Sequence, residues 1–405
     1  MSSHPAVRFL DRSTPPHILT LVLLAGLGAL SMNIFLPSLP VMAEYFGAKY
    51  RLIQLSVALY LGMSAVLQIF IGPISDRFGR RSVMMASIVV FLLATVGTLL
   101  APSVEIFLIF RALQAVIVAG QVLSRAVVRD MVPQEEAASM IGYVTMGMAI
   151  VPMVGPMIGG ALQELFSWHA SFILLLLCGV LTLWLAWADL GETAGDRSTS
   201  FAAQFRQYPE LLTARRFWGY CATAAFAAGA FFAYLGGAPF VGSEVFALSP
   251  AALGFYFGAP ALGYAAGNFL SGRYSVRLGI NRMALAGTLL TSAGLAVLLA
   301  VGLAGAKHPA VFFGFMTFVG LGNGLVMPNA TAGMLSVRPR LAGSASGLGG
   351  AIMIGGGAAL SALAGALLTP GSGAFPLIYL MLATSVASVA AITYVIRRER
   401  SVGLA

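Results

Sequence analysis

The feature that most constrains this chain is its rhythm. Twelve apolar runs, each long enough to cross a lipid bilayer, fall in two sets of six around one long polar stretch. They lie at roughly 17–39, 52–74, 83–101, 104–128, 139–162 and 168–189, then at 217–241, 250–272, 283–304, 308–330, 342–367 and 375–396. A membrane helix needs about 20 mainly apolar residues, and inside the hydrocarbon layer it must satisfy its own backbone. Composition closes off the alternatives. Charged residues make up 9% of the 405 and hydrophobic ones 59%, with a mean hydropathy of +0.90. Soluble globular chains carry about 25% charge. A water-soluble enzyme could not cover its surface with so few charges, and a disordered chain needs the opposite balance. The expected fold class is an all-α membrane protein with twelve transmembrane helices in two six-helix halves.

The longest polar segment reads as a linker at 190–216, separating an N-terminal half at 1–189 from a C-terminal half at 217–405. Orientation follows from arginine and lysine, which collect in cytoplasmic loops. With the N-terminus inside, nineteen basic residues fall in inside segments and three (Lys49, Arg51 and Lys307) in outside ones, leaving Arg111 within a span. Both termini are therefore expected in the cytoplasm. The net charge of +9 has the same origin, since no basic run is interleaved with base-stacking aromatics as a nucleic-acid site requires. A 200-residue shift superposes Ala65, Gly72, Ser75, Arg77 and Gly79 on Ala265, Gly272, Ser275, Arg277 and Gly279. Such a parallel repeat, about an axis along the membrane normal, is one plan of secondary transporters, which bind substrate near the bilayer midplane.

The loop after span 2 reads Gly72-Pro73-Ile74-Ser75-Asp76-Arg77-Phe78-Gly79-Arg80-Arg81. Gly72 suits a close helix approach and Gly79 a tight turn into span 3. The stretch resembles the G-x-x-x-D-R-x-G-R-[RK] signature of the major facilitator superfamily. Further stretches resemble its Bcr/CflA-type drug:proton antiporter branch: Asn33 to Pro40 closing span 1, Arg111 to Ala115 and then Arg129-Asp130 in span 4, and Pro152 to Gly160 in span 5. The resemblance implies a rocker-type exporter in the bacterial inner membrane, driven by protons. It implies a conformational latch at Gly72, Asp76, Arg77, Gly79, Arg80, Arg81 and Asp130. It implies a leak-resisting helix interface at Pro152, Gly155, Pro156, Gly159 and Gly160, and a buried Arg111 linked to proton coupling. The chain departs from the pattern at Val151, which replaces a glycine, and at Asn33, which replaces the branch's span-1 acid.

Candidate cavity residues follow from depth and polarity. Arg111 and Asn33 lie at similar depth, roughly 10 Å and 9 Å below the outer ends of their spans at the helical rise, and are expected to face one cavity. An intramembrane arginine is a functional site by default. Gln114 shares its face at i+3. Tyr60, Met146, Tyr234 and Tyr256, together with Phe231, Phe255 and Tyr264, could line a pocket for apolar compounds. Gln54, Gln68, Gln121, Asn268 and Asn323 are weaker candidates, with ordinary interhelical hydrogen bonding as the plain alternative.

None of the fourteen acids falls in the middle of a span, so a permanent cation in the cavity would have no carboxylate beside it. No cofactor, catalytic residue or metal is expected. Cys178 and Cys221 sit in apolar runs, His4, His17, His169 and His308 sit at span ends or in loops, and H-E-x-x-H is absent. The first apolar run is too long for a signal-peptide core and reads as a retained span. The expected partners are a small-molecule substrate, protons and the bilayer, with the chain a monomer. The rival to drug export is export of one specific metabolite on the same scaffold.

Overall fold

The computed structural model describes residues 7–131, 144, 151, 154–193, 208–338, 341–369, 371–401 and 403. Met146 and Pro152 lie outside this set. All regular structure among the described residues is helical. The first group comprises α1 (Ile18–Asn33), α2 (Leu39–Tyr45), α3 (Tyr50–Phe78), α4 (Arg80–Leu99), α5 (Val104–Gln114), α6 (Val118–Met131), α7 (154–165) and α8 (Trp168–Asp189). A short helix, α9 (Tyr208–Leu212), precedes the second group. That group comprises α10 (Arg215–Phe240), α11 (Pro250–Tyr256), α12 (Ala259–Leu278), α13 (Ile280–Leu303), α14 (Pro309–Ser336), α15 (Ala342–Leu367) and α16 (Phe375–Ser401).

Ten helices among the described residues are long and apolar enough to cross a membrane. Two runs differ from the expected twelve. Most of the fifth lies outside the described residues. The eighth is not one continuous rod: it breaks at Phe257 and Gly258 into α11 and α12, with Pro260 in the first turn of the second piece. Pro lacks an N–H and fixes φ, so it belongs at a helix start. Polar residues Asn268, Ser271, Arg273 and Ser275 then lower the hydropathy of α12. The first span extends past its expected end, turning through a 3₁₀ step at Leu36–Ser38 into α2. The fourth passes a similar step at Ala115–Ile117 between α5 and α6.

Loops are short and locally capped. Ser103 and Ser249 accept backbone N–H groups at the starts of α5 and α11, satisfying donors that every helix start leaves open. Gly79 ends α3 and opens α4 at φ +94°, a conformation that a Cβ strains. The N-terminal segment is pinned beneath α8 by the buried Asp189 carboxylate, which accepts the N–H groups of Leu10 and His17, both at 2.8 Å.

The two groups pack together at the face opposite the arginine-rich loops. There Tyr50 donates to the Gly236 carbonyl at 3.1 Å, and Gln54 donates to the Ser361 carbonyl at 2.7 Å. Glu164 accepts the Ser249 hydroxyl at 3.1 Å and the Ala251 N–H at 3.2 Å. From this seal α3 and α15 run side by side past Ala65 and Gly355 to Gln68 and Gly350. At Gly72 a methyl group would meet nothing within 4 Å among the described residues. The close approach expected at Gly72 is therefore not made by the described residues, and the groups are tightly packed at the face opposite the arginine-rich loops.

Candidate functional site

Between the groups lies a cavity of about 300 Å³. Its polar lining is Tyr60 and Ser64 from α3, Gln121 from α6, Tyr264 from α12 and Asn323 from α14. The apolar remainder includes Phe231, Phe232, Phe257, Met32, Met327 and Met353. Aromatic rings and flexible thioethers adapt to ligands of different outline. No charged side chain lines it among the described residues.

The expectation that Arg111 faces the cavity differs from where the structure puts its side chain. Arg111 is fully buried inside the first group and does not line the cavity. Its Nη1 donates to Ser31 Oγ at 3.1 Å and to Gln114 Oε1 at 2.8 Å, and its Nη2 donates to the Ser31 carbonyl at 2.7 Å. The rings of Phe35 and Tyr60 both lie 4.4 Å from its Cζ. Among the described residues no carboxylate answers it. A central arginine costs about 2.5–3.5 kcal/mol on insertion scales. Charge-assisted hydrogen bonds of about 1.5–3 kcal/mol each and desolvated cation–π contacts of about 2 kcal/mol are enough to offset that. Tyr60 connects the two features: one ring wall lines the cavity, and its hydroxyl donates to the Gly28 carbonyl at 3.0 Å.

Several more expected cavity residues do not line it, Gln114, Asn33, Tyr234, Tyr256 and Phe255 among them. Gln114 is spent between Arg111 and Thr95, donating to Thr95 Oγ1 at 2.8 Å. Asn33 donates to the Ala29 carbonyl at 2.7 Å and faces Gly155 of α7, not Arg111's pocket. Tyr234 is buried among Phe231, Phe257 and Phe313, and Tyr256 stacks on Phe313 at 5.0 Å. Aromatic packing within the second group holds both.

At the arginine-rich face Arg80 is the hub. Its guanidinium meets Asp76 at 2.7 Å and Asp130 at 2.9 Å, and its backbone N–H donates to Glu192 at 2.8 Å. Arg81 donates to the Trp187 carbonyl at 3.0 Å, and Arg77 lies over Phe78. These partners all belong to the first group or to the chain just after α8. At the opposite face, Gly160 abuts the backbone of Pro250, and Gly254 abuts the backbone of Pro156. Gly159 packs on Ile34 of α1 with no room for a Cβ.

This arrangement has known counterparts. The family model described as Major Facilitator Superfamily matches residues 21–362 and 238–403. The chain belongs to the Major Facilitator Superfamily. Over 396 residues it is 27% identical to the bicyclomycin resistance protein homolog of Haemophilus influenzae, covering 96% of this chain and 98% of that one. It is 33% identical to a chloramphenicol resistance protein of Pseudomonas aeruginosa across 215 residues, 53% of this chain, and spans about half (51%) of that relative's length. A solved peptide transporter structure in complex with sulfate matches with a TM-score of 0.76 at 14% identity, covering 95% of this chain and 94% of that one. That likeness concerns the fold.

This superfamily member carries a second charge cluster that its sequence did not single out. Glu399, near the end of α16, is buried and accepts from Arg216, the Tyr220 hydroxyl and Asn281. In the sequence Glu399 stands among Arg397, Arg398 and Arg400, and only packing brings α10, α13 and α16 around it. Gln54 and Glu164 were likewise legible as polar residues and not as parts of the seal between groups.

Proposed function

We propose that this protein exports small amphipathic compounds, antibiotics among them, across the bacterial inner membrane in exchange for protons. Its two halves, 1–189 and 217–405, rock about a central cavity, and both termini lie in the cytoplasm. The observation that carries the reading is the cavity itself: set between the groups, lined by rings, thioethers and a few neutral polar groups, with the groups packed together at the face opposite the arginine-rich loops. A site of that chemistry suits ligands of varied outline. The opposite seal is built from breakable contacts, Tyr50 to Gly236, Gln54 to Ser361 and Glu164 to Ser249 and Ala251. Parting them while closing the arginine-rich end would expose the cavity to the other side. The arginines place the end away from these contacts in the cytoplasm, where an exporter loads. The names of the relatives, resistance proteins for bicyclomycin and chloramphenicol, support the same reading.

The test is expression in a drug-hypersensitive bacterium with growth on a panel of unrelated antibiotics, followed by transport in everted vesicles. Protection against several, abolished when the pH gradient is collapsed, is the expected result. Protection against none would point to a single metabolite as cargo, and transport indifferent to the pH gradient would remove proton exchange.

A further inference from the structure

The cavity contains two polar groups that the fold leaves without a partner. Ser64 Oγ and Asn323 Oδ1 are both buried, with Ser64 3% and Asn323 7% exposed, and neither atom has a hydrogen-bond partner among the described residues. Both residues line the cavity, Ser64 from α3 of the first group and Asn323 from α14 of the second. Buried polar groups in folded proteins are almost always satisfied, and an orphaned one is costly. Two of them on opposite walls of one cavity mark where a ligand's own polar groups would fit.

Charge defines the rest of the site. Eleven of the fourteen acids fall on described residues, and none lines the cavity. Glu135, Glu136 and Asp196, the other three, belong by sequence to segments at the arginine-rich face. The one charge close by is positive: Arg111 lies directly behind the Tyr60 ring, 4.4 Å from its centroid. A permanent cation entering this cavity would lose its hydration, find no counter-ion and meet Arg111 across one aromatic ring. An uncharged molecule needs no counter-ion, meets no repulsion from Arg111 and loses far less hydration energy.

We propose that Ser64 and Asn323 are the polar anchors of a substrate site selective for uncharged amphipaths, molecules with an aromatic or aliphatic body and hydroxyl or amide groups, and that permanent lipophilic cations are excluded. This rests on the exporter reading and narrows it to a chemical class. The test is binding to the purified full-length protein, with chloramphenicol as the neutral, hydroxyl-bearing probe and tetraphenylphosphonium as the cation. Chloramphenicol should bind and tetraphenylphosphonium should neither bind nor compete. Asn323→Leu should weaken chloramphenicol by about threefold to tenfold, the value of one neutral hydrogen bond, and Ser64→Ala should act in the same direction. Asn323→Asp, nearly isosteric, should gain tetraphenylphosphonium binding. Should Asn323→Leu fail to give monodisperse protein, Ser64→Ala and Asn323→Asp carry the test. Tight binding of both probes to the unmodified protein would overturn the charge selectivity and leave the exporter reading intact. Binding of neither would overturn the proposed selectivity, and the growth panel decides the exporter reading separately. Unchanged affinity in Asn323→Leu and Ser64→Ala would retire the anchors.

Discussion

Arg111 in the first group and Glu399 in the second are both buried charges, and the two are handled in opposite ways. Arg111 is a cation surrounded by neutral dipoles and two aromatic rings, with no carboxylate partner among the described residues. In the second half Glu399 is an anion held by a cation, Arg216, together with Tyr220 and Asn281. Depth accounts for part of the difference. Glu399 sits at the arginine-rich end of α16, where partners reach it easily and Arg216 keeps 24% of its side chain exposed. Arg111 sits about 10 Å into the membrane from Val104 by the helical rise, where a carboxylate partner would add a second desolvation. The lesson concerns function. A charge closed off by an ion pair is a structural pin. A charge solvated by dipoles and rings, one of which forms the cavity wall, stays coupled to whatever occupies that cavity.

That contrast predicts its largest effect at Arg111. Arg111→Ala should reduce vesicle transport to background while thermal unfolding shows folded protein, because the substitution also removes the desolvation cost of the charge. Arg111→Lys should recover little, since a compact ammonium cannot lie flat between Phe35 and Tyr60 while donating to Ser31 and Gln114. Near-normal transport in Arg111→Ala would make both buried charges pins. A smaller loss is expected at Asp76, in the charge cluster around Arg80. Asp76→Ala frees Arg80 from its 2.7 Å partner but touches nothing in the cavity. Chloramphenicol affinity should hold, and the transport rate should fall by about tenfold, equivalent to 1.4 kcal/mol on the slowest step. Lost affinity at unchanged turnover would move the motif from conformational control to binding.

Glu399→Gln tests the other side of the comparison. Breaking a fully buried pair costs about 3–5 kcal/mol, and the partial exposure of Arg216 lowers that to about 2 kcal/mol. Thermal unfolding in detergent should register the loss, while transport per folded molecule stays close to that of the unmodified protein. Pairing it with Arg216→Met should restore much of the stability, because the stranded charge is gone. Transport abolished in well-folded Glu399→Gln would erase the distinction between pin and coupled charge.

Sequence reading succeeded wherever the signal was local. Apolar run length gives ten spans among the described residues, and Gly79 gives the turn between α3 and α4. It failed where the answer depended on rotation about a helix axis. A helix in lipid is apolar nearly all round, so the usual contrast between core face and solvent face is missing. Arg111 and Asn33 were placed at matching depth, but their directions are set by α3 and α7, which no spacing within their own helices encodes. Tyr60, one candidate that does line the cavity, is a polar-tipped ring on a helix whose neighbours on that face, Ser64 and Leu61, are also at the wall. The break at Phe257–Gly258 was carried by Gly258 and Pro260, residues common enough in membrane helices that they do not end one by themselves.

The finest test separates the two jobs of Tyr60. Its ring lies against Arg111 on one side and the cavity on the other, and its hydroxyl reaches the Gly28 carbonyl. If coupling runs through the ring, Tyr60→Phe should be mild: one buried hydrogen bond, about 1 kcal/mol, is lost from the first half, and the face over the guanidinium remains. Transport should fall by only a few-fold, with Arg111 still required. Tyr60→Leu removes the ring's attraction for a desolvated cation, about 2 kcal/mol, and opens Arg111 towards the cavity, so transport should fall much further. The ratio between the two variants, measured in the same vesicles, is the quantity that matters. Equal losses would mean that the hydroxyl and its tie to α1 set the geometry, and that Arg111 is as closed to the cavity as Glu399 is.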